Sequence, residues 1–206
     1  MKHNPEIHNR KSIRLKGYDY SKKGLYFITI CTQNREHLFG EIIDGKMILN
    51  SAGEIAFNEW FELKNRFNNI ELYGFIVMPN HIHGIIEMIE ENEICTKDKI
   101  RNKENHFSKI SPKSNSLSLL IRSYKSCVSK KCRGVIYNAQ NKIKQTDRNS
   151  IYNTQIFLNG QFQWQRNYYD NIIRNEKTYL KVSEYIKDNP LKWAIDKYYN
   201  KTFCDI

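Results

Sequence analysis

Residues 77–88 read VMPNHIHGIIEM. Pro79 and Asn80 are turn formers, and the runs on either side, IELYGFIVM and HIHGIIEMI, have the composition of strands. The pattern predicts two adjacent strands joined by a tight turn. Side chains on a strand alternate with period two, so His81 and His83 project from one face. Two imidazoles so placed can chelate one divalent metal ion. A short HxH segment also occurs as two half-buried polar residues at the start of a strand, so the motif needs a further ligand to become a site. Glu87 shares the face but stands a full repeat beyond His83.

Upstream, LYFITICT from Leu25 is β-branched and aromatic and reads as a strand. FGEIIDGKMILN carries Asp44-Gly45 between apolar arms, a two-residue hairpin signal. Ser51 is the expected cap of a helix over AGEIAFNEWFELKNRF, with Glu54 at the capping-box position and Ile55, Trp60, Leu63 and Phe67 on one face. Strands, helix, strands is an α+β order with a mostly antiparallel sheet. Downstream, SLSLLIRSYKSCVSKKCR (116–133) predicts a helix with Leu120, Tyr124 and Val128 at four-residue steps, a basic opposite face and a stop at Gly134. NEKTYLKVSEYIKDN predicts a last helix ending before Pro190. On it Tyr185 and Asn189 are four residues apart and share a face. The chain reads as one domain over 1–206, with a polar connection around 90–114 and a polar loop around 134–158.

The chain has 206 residues, of which 40% are hydrophobic, enough for one core. Its net charge of +11 and pI of about 9.3 point to a polyanionic partner, nucleic acid first and an anionic membrane surface second. No run of about 20 apolar residues could span a bilayer. The start, MKHNPEIHNRKS, lacks the apolar core of a signal peptide. Five scattered cysteines form no CxxC pair, as expected of free thiols in a reducing cytoplasm.

Taken together, VMPNHIHGIIE, the segment FQWQRNYYDNIIRNEKTYLKVSEYIKDNPLKW and the N-terminal RKSIRLKGYDYSKKGLYFITICTQNR resemble the IS200-like (Y1) tyrosine transposases, closest to their REP-associated group. The resemblance covers most of the chain outside the two polar stretches. It implies the HUH endonuclease class, with Ile82 as the hydrophobic middle residue. His81 and His83 then match the metal pair, Tyr185 the nucleophile and Asn189 a third metal ligand. The implied fold is a ferredoxin-like or RRM-like antiparallel sheet with helices packed on one face and the catalytic tyrosine on a C-terminal helix. The implied reaction cuts and rejoins single-stranded DNA beside a hairpin through a 5′-phosphotyrosine, by a monomer or homodimer. Imidazole plus amide oxygen suits Mg²⁺ or Mn²⁺. A phenol has a pKa near about 10, so Tyr185 needs a proton acceptor that the sequence does not reveal. The chain departs from the pattern at Asn171, where members often carry His.

Arg166 and Arg174, Arg122 and Lys125 of the basic helix, and the N-terminal arm of Arg10, Arg14 and Lys16 are the expected DNA-binding residues. Tyr168 and Tyr169 are expected to pack or to stack on bases. Two other readings compete. One is a non-catalytic DNA-binding protein derived from such an enzyme. The other is a cupin-like metal enzyme, suggested by HxHxxxE, which requires an all-β chain.

Overall fold

The computed structural model describes residues 15, 17–90, 115–143 and 162–199, the side chains of 134–143 excepted. Strand β1 (Gly24–Cys31) is followed by a hairpin of β2 (Gly40–Ile43) and β3 (Lys46–Leu49), then helices α1 (Ser51–Phe61) and α2 (Leu63–Arg66). Next come β4 (Ile70–Met78), β5 (His81–Met88), the long α3 (Leu117–Ile143), β6 (Tyr169–Ile173) and α4 (Glu176–Asp188). The main sheet has the order β4-β5-β1-β6, and every neighbouring pair is antiparallel. Setting the β2–β3 hairpin aside, this is the β-α-β-β-α-β arrangement of ferredoxin-like domains, as expected. The four α-helices among the described residues exclude the all-β cupin reading.

Met78 pairs with His81 across Pro79-Asn80, so the expected tight turn is present. The β2–β3 hairpin turns at Asp44 and Gly45, whose φ of 50° and 70° match the left-handed geometry that this dipeptide favours.

Strand alternation gives the sheet two different faces. On one, Tyr26, Ile28 and Ile30 of β1 and Ile82 and Ile86 of β5 form the main core with α1 and α3. Helix α3 buries Leu117, Leu120, Ile121, Tyr124, Val128 and Cys132, a 3.6-residue stripe. Buried Glu59 of α1 is held by Arg66 of α2 at 3.1 Å and by Lys131 of α3. On the other face, Ile85, Ile173 and Ile186 join Leu25, Phe27, Ile76, Tyr179 and Val182 beneath α4. The expectation of helices on one face thus holds for α1 and α3. The C-terminal helix takes the opposite face, because the residues one step out of phase along the strands are also apolar at that end of the sheet.

Three boundaries differ from expectation. Asn50, not Ser51, caps α1: its Oδ1 accepts from the amides of Ala52 and Gly53, while its Nδ2 donates to Leu38 O. Helix α3 runs through Gly134 to Ile143, into the expected polar loop. A glycine inside a helix costs only about 1 kcal/mol, and it stops one only where the chain turns left-handed. The stretch 91–114 and the remainder of the second polar stretch, 144–158, lie outside the described residues.

Gly84 is required by the core. A Cβ there would lie 2.2 Å from Cζ2 of Trp60, whose ring stacks on Phe75 at 4.4 Å and meets Tyr124 edge-on at 5.6 Å. The indole is fully buried and cannot swing aside. Gly84→Ala should therefore destabilise the fold by about 1–3 kcal/mol or more. Urea unfolding reads this directly, and an unchanged midpoint would show that the indole can relax.

Candidate active site

His81 and His83 project from the face of β5 opposite Trp60, at the end of the strand nearest the Pro79-Asn80 turn. Both are fully buried. Their Nε2 atoms face each other at 3.0 Å. Asn80 Nδ2 donates to the carbonyl oxygens of Tyr198 (2.8 Å) and Arg35 (3.2 Å). Those two acceptors define which end of the amide is nitrogen, so Oδ1 is the atom 2.8 Å from His81 Nδ1. That contact needs the proton on Nδ1 and leaves a lone pair on His81 Nε2. Thr29 Oγ1, opposite His83 on β1, lies 2.8 Å from His83 Nδ1 and fixes the second ring.

Helix α4 supplies the other two residues. Asn175 caps its start, accepting from Thr178 N. Its apolar side chains sit on the sheet face that carries the histidines. Tyr185 Oη reaches His83 Nε2 at 3.3 Å and donates to Asp196 Oδ2 at 2.9 Å. One turn later Asn189, the C-cap residue, donates from Nδ2 to the same Oδ2 at 3.0 Å. The spacing expected from the sequence therefore places both on one side of the helix. Asp196 closes a short 3-10 turn (Trp193–Ile195), and its Oδ1 accepts from Tyr198 N at 2.7 Å. Trp193 and Tyr198 pack on the ring of His81, with centroids at 5.9 Å and 4.7 Å. Phe27 lies 5.1 Å from His83 and meets Tyr185 edge-on at 6.1 Å.

Burial sets the electrostatics. It lowers His81 to about 3, helped by the nearby Lys197 and Arg35, and holds His83 well below its ordinary range, with His81 adding to the effect. Both imidazoles are neutral at pH 7, the state in which they can donate to a cation. Burial and then the Asp196 carboxylate push Tyr185 above its ordinary value, so its hydroxyl stays protonated at rest.

Two features suit a cation. In the tautomer with the His83 proton on Nδ1, donated to Thr29, both Nε2 atoms carry lone pairs, and these repel at 3.0 Å unless a cation lies between them. Two nitrogens on adjacent corners of an octahedron with bonds near 2.1 Å also lie about 3 Å apart. Asn189 Oδ1, in turn, is buried and has no hydrogen-bond partner, while Asp196 holds its amide nitrogen. Among the described residues no three His, Cys, Asp or Glu side chains gather as a metal cluster, so the donor set is two imidazoles and an amide.

The structure brings together His81, His83, Tyr185 and Asn189, and adds four residues that the sequence reading missed: Thr29, Asn80, Asp196 and Tyr198. The expected DNA contacts are not gathered there. Lys125 donates to the carbonyl oxygens of Gln165 (2.7 Å), Arg166 and Asn167, tying α3 to the approach to β6, and Arg122 is exposed on the same helix, which covers the opposite face. Arg166 is exposed, and Arg174 follows the end of β6 remote from the histidines. Arg10, Arg14 and Lys16 lie outside the described residues. Tyr168 is buried in the main core, while Tyr169 is 46% exposed on the histidine face. Glu87 accepts from Tyr73 at 2.7 Å, at the far end of β5 from His81.

No family model matches the chain. An uncharacterized protein of Haemophilus influenzae is 37% identical over 198 residues, covering 96% of this chain and 97% of that protein. This chain belongs to the same family as that bacterial protein. Among solved structures, a REP-associated tyrosine transposase bound to a REP hairpin matches 91% of this chain and 77% of its own, with a TM-score of 0.53 and 17% identity. This chain thus has the fold of that tyrosine transposase. A transposase-related structure from Deinococcus radiodurans matches 86% of this chain and 97% of its own, with a TM-score of 0.40 and 14% identity.

The buried histidines make stability depend on pH. An unfolded histidine titrates near about 6.5, whereas folded His81 takes a proton only at about 3. Between those values the unfolded chain binds the extra proton, so this stabilisation is complete above about pH 6.5 and is lost as pH falls toward 3. In chelator, unfolding free energy should drop between pH 6.5 and 5 by on the order of 1 kcal/mol per pH unit for His81, with His83 adding in the same direction. The slope should shrink in His81→Gln; an identical slope in that variant would contradict the assignment.

Proposed function

We propose that the chain is a metal-dependent endonuclease and transposase that cuts and rejoins single-stranded DNA through Tyr185. The observation that carries this reading is the meeting of Tyr185 Oη with His83 Nε2 at 3.3 Å, beside the facing Nε2 of His81. The net charge of +11 fits a polyanionic substrate, and one solved structure of similar fold is a REP-associated tyrosine transposase bound to a REP hairpin.

His81, His83 and Asn189 would hold a divalent ion, Mg²⁺ or Mn²⁺. When bound, the ion supplies charge neutralisation at the scissile phosphate. The chain's own residues do the rest. Tyr185 Oη attacks phosphorus, forming a Tyr–O–P bond as the P–O3′ bond breaks. The electron pair leaves on the 3′-oxygen, which takes a proton from water. Asp196 Oδ2, already hydrogen-bonded to the hydroxyl, accepts the phenolic proton. Because the same carboxylate holds Tyr185 protonated at rest, the proton moves only as the bond to phosphorus forms. In rejoining, a 3′-hydroxyl gives its proton to solvent as its oxygen attacks phosphorus, the Tyr–O–P bond breaks, and Asp196 returns its proton to the departing phenol. Asp196 also fixes the amide of Asn189 so that its oxygen is the end left for the ion. Trp193 and Tyr198 cover His81, so the phosphate enters when that cover opens.

Single-stranded hairpin libraries incubated with the chain and Mn²⁺ should yield a covalent protein–DNA adduct that chelator abolishes. Tyr185→Phe should form none and still bind DNA. Binding without an adduct by the unmodified chain would favour a non-catalytic DNA-binding protein. Asp196→Asn should slow adduct formation by about 100-fold or more, and a full rate in that variant would remove Asp196 from the chemistry.

A further inference from the structure

Beside the histidine pair a cleft of about 390 Å³ opens at the β6 edge of the sheet. Its floor continues the histidine face: His83 pairs with Thr29, Thr29 with Tyr169, and Phe27 with Asn171. Thr29 and Phe27 are shared with the site, since one bonds His83 and the other packs against both His83 and Tyr185. Tyr169 is 46% exposed, and its ring lies 6.3 Å from that of Tyr198. Asn171 is exposed on the same face, two residues along β6.

The opposite wall is cationic. Lys197 Nζ lies 4.8 Å from the centroid of the Tyr198 ring, and the Arg35 guanidinium lies 5.5 Å from it. Arg35 Nη1 also donates to Lys197 O at 3.0 Å, which ties the turn after β1 to this segment. The cleft therefore has one exposed aromatic ring, one carboxamide and two cations against the single carboxylate of Asp170, and through Phe27 and Thr29 it adjoins the site of the proposed nucleophile. Single-stranded nucleic acid is held by just these groups, bases on aromatic rings and phosphates on cations. The volume is within the range of small-ligand pockets.

We propose that this cleft binds the nucleotide flanking the scissile phosphate, with its base on Tyr169 and its backbone along Lys197 and Arg35. Asn171 offers a donor and an acceptor to the base edge. This assignment rests on the single-strand nuclease reading and names a binding site that the reading alone does not require. A duplex fits less well, because a paired base must first be unpaired and unstacked, at a cost of about a few kcal/mol, to reach the ring.

Photocrosslinking of the full chain tests it. Single-stranded 20-mers carrying 5-iodo-2′-deoxyuridine would be bound in chelator, irradiated and mapped by mass spectrometry, with affinities measured in parallel. Crosslinking at Tyr169 is expected. Tyr169→Ala should lose the crosslink and weaken binding by about 5- to 150-fold, while Tyr169→Phe should retain affinity. Lys197→Ala should weaken binding and reduce the salt slope by about one. Since Tyr169 is half exposed, its truncation leaves the core in place, and circular dichroism checks this. Tight binding by the unmodified chain with crosslinks only elsewhere, or with Tyr169→Ala unchanged, would overturn the cleft and leave the nuclease reading standing. No binding of single strands by the unmodified chain would overturn both.

Discussion

Two neutral imidazoles held 3.0 Å apart, nitrogen to nitrogen, are the constraint on which the rest of the site depends. The contact is unfavourable unless a proton or a cation lies between the rings, so each ring must be gripped from behind. Asn80 grips His81 and Thr29 grips His83. Asn80 is in turn oriented by carbonyls from the turn after β1 and from the C-terminal segment. The geometry of one strand is thus referred to residues 45 and 118 positions away. Burial keeps both rings unprotonated at neutral pH, and so in the form that binds a cation.

The fold makes that arrangement possible by using its two sheet faces differently. One is given to α1 and α3 and to a core built round Trp60. That core fills the space above Gly84 and leaves no room for a side chain. The other face carries the histidines at one end and a small apolar seat for α4 at the other. Seating α4 there brings Tyr185 to His83, and the helical period brings Asn189 to the same side one turn later. Asp196 joins the two by accepting from both on one oxygen.

Much of this was legible in the sequence because it depends on short periods. The two-residue alternation in HIHGIIEM gave both histidines one face, and the four-residue spacing in YIKDN did the same for Tyr185 and Asn189. Asp44-Gly45 announced its hairpin. What was not legible depends on how distant segments return to one another. Asp196 lies beyond Pro190, where no periodicity continues, and only the 3-10 turn folds it back on α4. Lys125, expected on DNA, instead meets three carbonyls of the segment before β6. No spacing rule foretells that contact. Which sheet face α4 would take was likewise hidden, since β1 and β5 present apolar residues on both.

The central claim is that the facing imidazoles and the free oxygen of Asn189 form one cation site beside the nucleophile. Anomalous diffraction from crystals grown with Mn²⁺ measures this most directly. A single peak within about 2.3 Å of both Nε2 atoms, with Asn189 Oδ1 as a further ligand, is the result this account predicts. Manganese absent from the pair, with the rings still 3.0 Å apart and His83 donating a proton to His81, would contradict it.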